Sequence, residues 1–185
     1  MPEEENKERL FFALWPDPGL QEALAGKARE TLGRRRARLT PAANLHITLA
    51  FLGETGAEAR ACAERVAGGL DGEPFTLVLD RLGYWGRRGL LWAGPNTIPA
   101  PLADLAEELG RGLEGCGFER DRRPFRPHLT LARKAPKLPS RMALDPLEWP
   151  VERFVLVASR LGPGGPEYGI VGEWPLGRAP DSAAP

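Results

Sequence analysis

Apolar and polar positions alternate along the chain in a way that divides it into short elements. Residues 9–15 (Arg9-Leu10-Phe11-Phe12-Ala13-Leu14-Trp15) are a nearly continuous apolar run closed by Pro16, which suits a buried strand. Asp17-Pro18 reads as a helix N-cap followed by proline at the first helical position. Leu20, Leu24, Ala28 and Leu32 follow at helical spacing, and Gly33 ends that helix. Residues 45–52 read as a strand, and Gly56 to Leu70 as a second helix with Cys62, Val66 and Leu70 on one face. Residues 75–82 and 89–93 look like strands joined through residues 83–88. Pro99 to Gly115 is a third helix, with Leu102, Leu105, Ala106, Leu109 and Leu113 at i, i+3, i+4 spacing. Residues 128–132 form a further strand. The proline-rich stretch 134–150 reads as an irregular connection. Strands at 151–161 and 168–174 flank a Gly/Pro turn, and the tail from Gly177 is expected to be disordered.

This order predicts an α+β protein of two lobes with helices outside. The domain runs from residue 1 to 176, and residues 177–185 form the tail. Apolar residues at 42% and charged residues at 27% fit a soluble globular chain. Lys plus Arg and Asp plus Glu balance at 25 each, which argues against a broad basic face for duplex DNA. There is no apolar run near 18 residues, and Pro2-Glu3-Glu4-Glu5-Asn6-Lys7 is no signal peptide, so no membrane partner is expected. Cys62 and Cys116 lack zinc or redox spacing. They read as small buried apolar side chains in a reducing, cytoplasmic compartment. Arg34-Arg35-Arg36-Ala37-Arg38 reads either as a solvated basic loop or as a patch for an RNA backbone.

The chemistry is concentrated in two stretches. Asn44-Leu45-His46-Ile47-Thr48-Leu49-Ala50-Phe51-Leu52-Gly53 is echoed by Arg126-Pro127-His128-Leu129-Thr130-Leu131-Ala132-Arg133. The two histidines are the only ones in the chain, they stand 82 residues apart, and each opens His, aliphatic, Thr, Leu, Ala. With seven Thr in the chain, the chance that both histidines have Thr two places on is roughly one in 700. Strand side chains alternate, so His46 and Thr48 share one face and His128 and Thr130 another. If the two faces oppose each other, two imidazoles and two hydroxyls converge. Histidine titrates near neutrality, so one ring can act as general acid and the other as general base, with the hydroxyls donating to anionic oxygens. No Ser or Cys nucleophile and no carboxylate cluster accompanies the histidines, so neither metal nor cofactor is expected. Acid–base displacement at phosphorus fits the set.

These motifs resemble the signature of the 2H phosphoesterase superfamily. Together with Arg9 to Pro16, Arg123-Pro124-Phe125, Ser159-Arg160-Leu161 and Tyr168, they resemble its RNA 2′,3′-cyclic phosphodiesterases, also known as 2′-5′ RNA ligases, over residues 9–176. The resemblance implies a bilobal α+β fold, with two antiparallel sheets flanking a central cleft; the two halves, each holding a motif strand, suggest a pseudo-two-fold duplication. It implies that the enzyme opens a terminal 2′,3′-cyclic phosphate on RNA to a 2′-phosphate; separately, a monomer is expected. His46 would be the proton donor to the leaving 3′ oxygen and His128 the proton acceptor from water. Thr48 and Thr130 would bind phosphate oxygens. Arg133 would be the phosphate-side cation, although simple alternation points it away from His128. Arg126 would share the face of His128, and Phe11 or Tyr168 would stack on a base, with core packing the stronger reading for Phe11. Two alternatives stand beside this: 2′-5′ RNA ligation by the same chemistry in reverse, and an RNA end-binding module without turnover.

Overall fold

The computed structural model describes residues 7–177, so the tail expected beyond Gly177 lies outside the described residues. Its first strand, β1 (Glu8–Leu14), buries Leu10 to Leu14 without a break. Helix α1 (Pro18–Leu32) starts where the sequence places its cap: the Asp17 carboxylate accepts from the Leu20 amide at 3.0 Å, and Gly33 closes the helix with φ 56°. There follow β2 (Arg38–Leu39), β3 (Ile47–Thr55), α2 (Ala57–Gly68), β4 (Phe75–Trp85) and β5 (Leu90–Gly94). Helix α3 (Ala100–Glu114) buries Leu102, Leu105, Leu109 and Leu113, the stripe its spacing predicts. The last described elements are β6 (Leu129–Arg133), β7 (Arg141–Val151), β8 (Arg153–Gly162) and β9 (Gly165–Pro175).

Every strand pairing is antiparallel, and the sheet order is β7-β4-β5-β6-β3-β1-β8-β9, with β2 laid on β6. The order reads symmetrically from its centre. Motif strand β6 is followed outward by β5, β4 and β7, and motif strand β3 by β1, β8 and β9. In each half a helix connects the motif strand to its inner neighbour: α1 between β1 and β3, α3 between β5 and β6. The expected pair of separate sheets is therefore one hydrogen-bonded path of two four-stranded halves, joined at a single register pair, Ile47↔Leu129. The main core is rich in Leu and includes the helix stripes, Ile47 and Leu129. A smaller cluster on the other face gathers Phe11, Ala13, Val155 and Val157, with Trp15 and Tyr168 against it.

Three further expectations are overturned. The stretch 134–150 is not irregular throughout, because most of it is β7. Pro146 and Pro150 are tolerated since β7 is a border strand, where a missing amide leaves no inner ladder bond open. Gly83 is not part of a turn but lies inside β4. Trp92 of β5 lies flat across it, and a Cβ at Gly83 would come within 2.1 Å of the indole. Finally, Cys62 and Cys116 are not free buried thiols. They form a disulfide between α2 and the turn two residues past α3, with Cα atoms 5.8 Å apart, and both are partly exposed. Their approach follows from packing of α2 on α3, where Val66 fills the space a side chain at Gly112 would take. A cross-link over a sequence separation of 54 restricts the unfolded chain by about 4 kcal/mol in the chain-entropy picture. Cys62→Ser or added reductant is expected to lower Tm by roughly 5–15 °C, read by differential scanning calorimetry. An unchanged Tm would show that the bond does not form in solution.

Candidate active site

The single pair that joins the half-sheets also fixes the site. Ile47 and Leu129 are fully buried and face each other. Antiparallel register about that pair sets Thr48 across from His128 and Thr130 across from His46. The flanking polar side chains turn to the other face, into a cleft of about 1070 Å³ that His46, Thr48, His128, Thr130 and Arg133 all line. The four motif side chains thus meet across a local two-fold, as their alternation requires.

Each imidazole is oriented by its own strand. His46 Nδ1 lies 2.7 Å from the Asn44 carbonyl oxygen, and His128 Nδ1 lies 2.7 Å from that of Arg126. A carbonyl only accepts, so each Nδ1 donates, and the free Nε2 is the nitrogen that exchanges protons. Aromatic rings brace both. Trp15 lies parallel to His46, at 5.2 Å between centroids and 4° between planes, with Phe11 and Tyr168 at 4.9 and 5.4 Å. Trp85 meets His128 at 4.6 Å and 72°. Burial is the largest influence on either ring and pushes both below the usual imidazole value of 6.5, against the carbonyl hydrogen bonds, which favour the charged form. The other imidazole and Arg133 lower His46 further, while Arg133 and Arg88 lower His128 further.

Arg133 reaches the cleft because the strand is not regular. Trp92 pairs with Thr130 and Leu91 with Ala132, so Leu131 is an extra residue, a β-bulge. The bulge shifts the alternation by one, and Thr130 and Arg133 come to the same side. The first motif repeats the device: Ala13 pairs with Thr48 and Phe12 with Ala50, leaving Leu49 extra. Phe51 therefore occupies in the first half the place that Arg133 occupies in the second, and it too lines the cleft.

Arg126 is exposed and its side chain does not line the cleft; Pro127 intervenes before the strand begins, and the contribution of Arg126 is its carbonyl. Phe11 is 4% exposed and packs beneath His46 and Tyr168, the packing reading. Tyr168 lies at the cleft wall. Arg38, at the end of the basic loop, also lines the cleft and donates to the Gly164 carbonyl at 3.2 Å. Sequence reasoning assigns no role to Asn44, Trp15, Trp85 or Arg88. Asn44 carries the one available signal, since it stands two places before His46 as Arg126 does before His128. Among the described residues no group of three or more His, Cys, Asp or Glu comes together, and no helix is long and apolar enough to cross a membrane.

Comparison with known proteins agrees in sequence and in shape. The 2′-5′ RNA ligase superfamily matches over residues 16–163. The RNA 2′,3′-cyclic phosphodiesterase of Escherichia coli (strain K12) is 34% identical over 173 residues, covering 91% of this chain and 97% of that protein. The protein of the same name from Thermus thermophilus is 36% identical over 183 residues, covering 91% of this chain and 90% of that protein. The crystal structure of E. coli LigT complexed with 3′-AMP superposes with a TM-score of 0.84 at 32% identity, covering 94% of this chain and 100% of that one.

Proposed function

The chain belongs to the 2′-5′ RNA ligase superfamily, and from that premise we propose that it hydrolyses the terminal 2′,3′-cyclic phosphate of RNA to a 2′-phosphate. The observation that supports this most directly is the pair of cleft-facing Nε2 atoms, each held by its own Nδ1–carbonyl bond. His128, neutral at Nε2, takes a proton as water attacks phosphorus. His46, protonated at Nε2, gives its proton to the leaving 3′ oxygen. One P–O bond forms and one breaks, and a free 3′-hydroxyl and a 2′-monophosphate result. The face of Trp15 beside His46 favours a cationic ring, which suits the donor. Thr48, Thr130 and Arg133 hold the non-bridging oxygens, where negative charge builds in the transition state. With a 5′-hydroxyl in place of water, the same groups run the reaction backward to a 2′-5′ linkage. Both imidazoles come from one chain, so a monomer suffices. An RNA substrate fits a cytoplasmic protein, while the Cys62–Cys116 disulfide removes free thiols as a reason to expect a reducing compartment.

The direct test uses RNA ending in a 2′,3′-cyclic phosphate, with chelator present. The expected product is a 2′-monophosphate, and a 3′-monophosphate would overturn the assignment. The pH dependence is a second reading of the same assay. Both rings are lowered by burial, so kcat/KM, which reports the free enzyme, is expected to peak below pH 6.5. An anionic phosphate between the rings raises both values, so the kcat profile should lie at higher pH. Stability follows with a definite sign. In the window between the lowered folded values and 6.5 the unfolded chain binds more protons. This contribution is fully present above 6.5 and is lost as pH falls through the folded values. Profiles centred above neutrality for kcat/KM would contradict the burial argument.

A further inference from the structure

We propose that the arm of the cleft running from Thr48 toward Phe51 and Arg9 is a second nucleotide subsite, in which the base next to the terminal one stacks on Phe51. This rests on the RNA reading above and makes it specific: the preferred substrate is an oligonucleotide end, not a cyclic mononucleotide. Phe51 is 55% exposed, an unusual state for a phenylalanine in the middle of a paired strand. Leu39 (41%) and Leu161 (93%) are exposed at the same cleft. The guanidinium of Arg9 lies over the Phe51 ring at 5.1 Å. An exposed aromatic ring with a guanidinium against it is an arrangement that takes a nucleic acid base without reading its identity.

Position and charge agree. The bulge at Leu49 gives Phe51 the place that Arg133 has in the other half. Five residues past its histidine, one half thus carries a cation, Arg133, and the other an aromatic, Phe51. Such asymmetry suits a phosphate flanked by a nucleotide chain on one side only. Phe51 pairs with Phe11 and Thr48 with Ala13, two residues apart on β1. That is about 7 Å along the strand, or roughly two stacked-base steps of about 3.4 Å. Five cations line the cleft (Lys7, Arg9, Arg38, Arg133 and Arg160) against two carboxylates, Glu8 and Glu54. Glu8 is already engaged by Arg60. The excess matches a phosphodiester backbone. The β8–β9 hairpin also lines the cleft, with Arg160 and Leu161. Its tip is tied to the segment between α1 and β3 by Arg38 to the Gly164 carbonyl and by Asn44 Nδ2 to the Pro166 carbonyl, each at 3.2 Å.

The test compares 2′,3′-cyclic AMP with a tetranucleotide ending in the same cyclic phosphate, in wild type, Phe51→Ala and Phe51→Trp. One stacked base predicts a wild-type kcat/KM preference for the tetranucleotide of roughly 5- to 100-fold. In Phe51→Ala that ratio should fall at least about fivefold, and Phe51→Trp should restore it. Equal kcat/KM for the two substrates in wild type overturns the proposal, as does a loss in Phe51→Ala that is the same for both. Should neither substrate turn over, the acid–base reading fails. The subsite is then judged by the Kd of a 2′-phosphorylated tetranucleotide against 2′-AMP: tighter tetranucleotide binding lost in Phe51→Ala upholds it, and equal Kd values sink it.

Discussion

Replacing His46 or His128 with alanine should each lower kcat/KM on cyclic-phosphate RNA by roughly 10²- to 10⁴-fold, the usual contribution of a positioned acid or base. The two losses should not add in the double variant, because the second proton transfer has little to act on once the first is gone. The variants also distinguish the roles. A substrate whose leaving group is a good one, such as an aryl phosphodiester, needs no proton at departure. His46→Ala should recover most of its loss on that substrate, whereas His128→Ala should not. Recovery in His128→Ala instead would exchange the roles, and full activity of either variant on RNA would end the acid–base account. Fold integrity is read from an unchanged circular dichroism spectrum.

Arg133→Met is the second large effect, with an expected loss of roughly 10²- to 10³-fold in kcat/KM, the magnitude for removing a donor at developing negative charge. Arg133→Lys should recover only part of it, because an ammonium lacks the planar fork that meets two phosphate oxygens at once. A second readout separates this from mere loss of structure. The charge of Arg133 lowers both imidazoles, so its removal should move the kcat/KM profile toward higher pH, nearer the ordinary 6.5. An activity loss with no movement of the profile would mean that Arg133 does not face the two rings.

The convergence of the two histidines is readable from the sequence because it needs only local rules. Alternation puts an aliphatic pair behind each His-Thr pair, and the structure buries Ile47, Leu49, Leu129 and Leu131 accordingly. The helices are readable for the same reason, through the Asp17 cap and the leucine stripe of α3. What escapes depends on neighbours in space. Strict alternation turns Arg133 away and gives Phe51 no role, since a bulge is visible only against the partner strand. Prolines hide β7, because only its place at the border of the sheet makes them harmless. The disulfide is invisible because two cysteines 54 residues apart meet only once α2 and α3 have packed. The residues bracing the rings, Trp15 and Trp85, carry no spacing signal at all.

The carbonyl that anchors each imidazole sits two residues upstream on the same segment, so ring orientation owes nothing to the far half of the molecule. Breathing of the halves about Ile47 and Leu129 would change the gap between the rings but leave unchanged which nitrogen each presents. Admission of an RNA end and proton shuttling are thereby decoupled: the mouth can widen for entry without either side losing its catalytic tautomer.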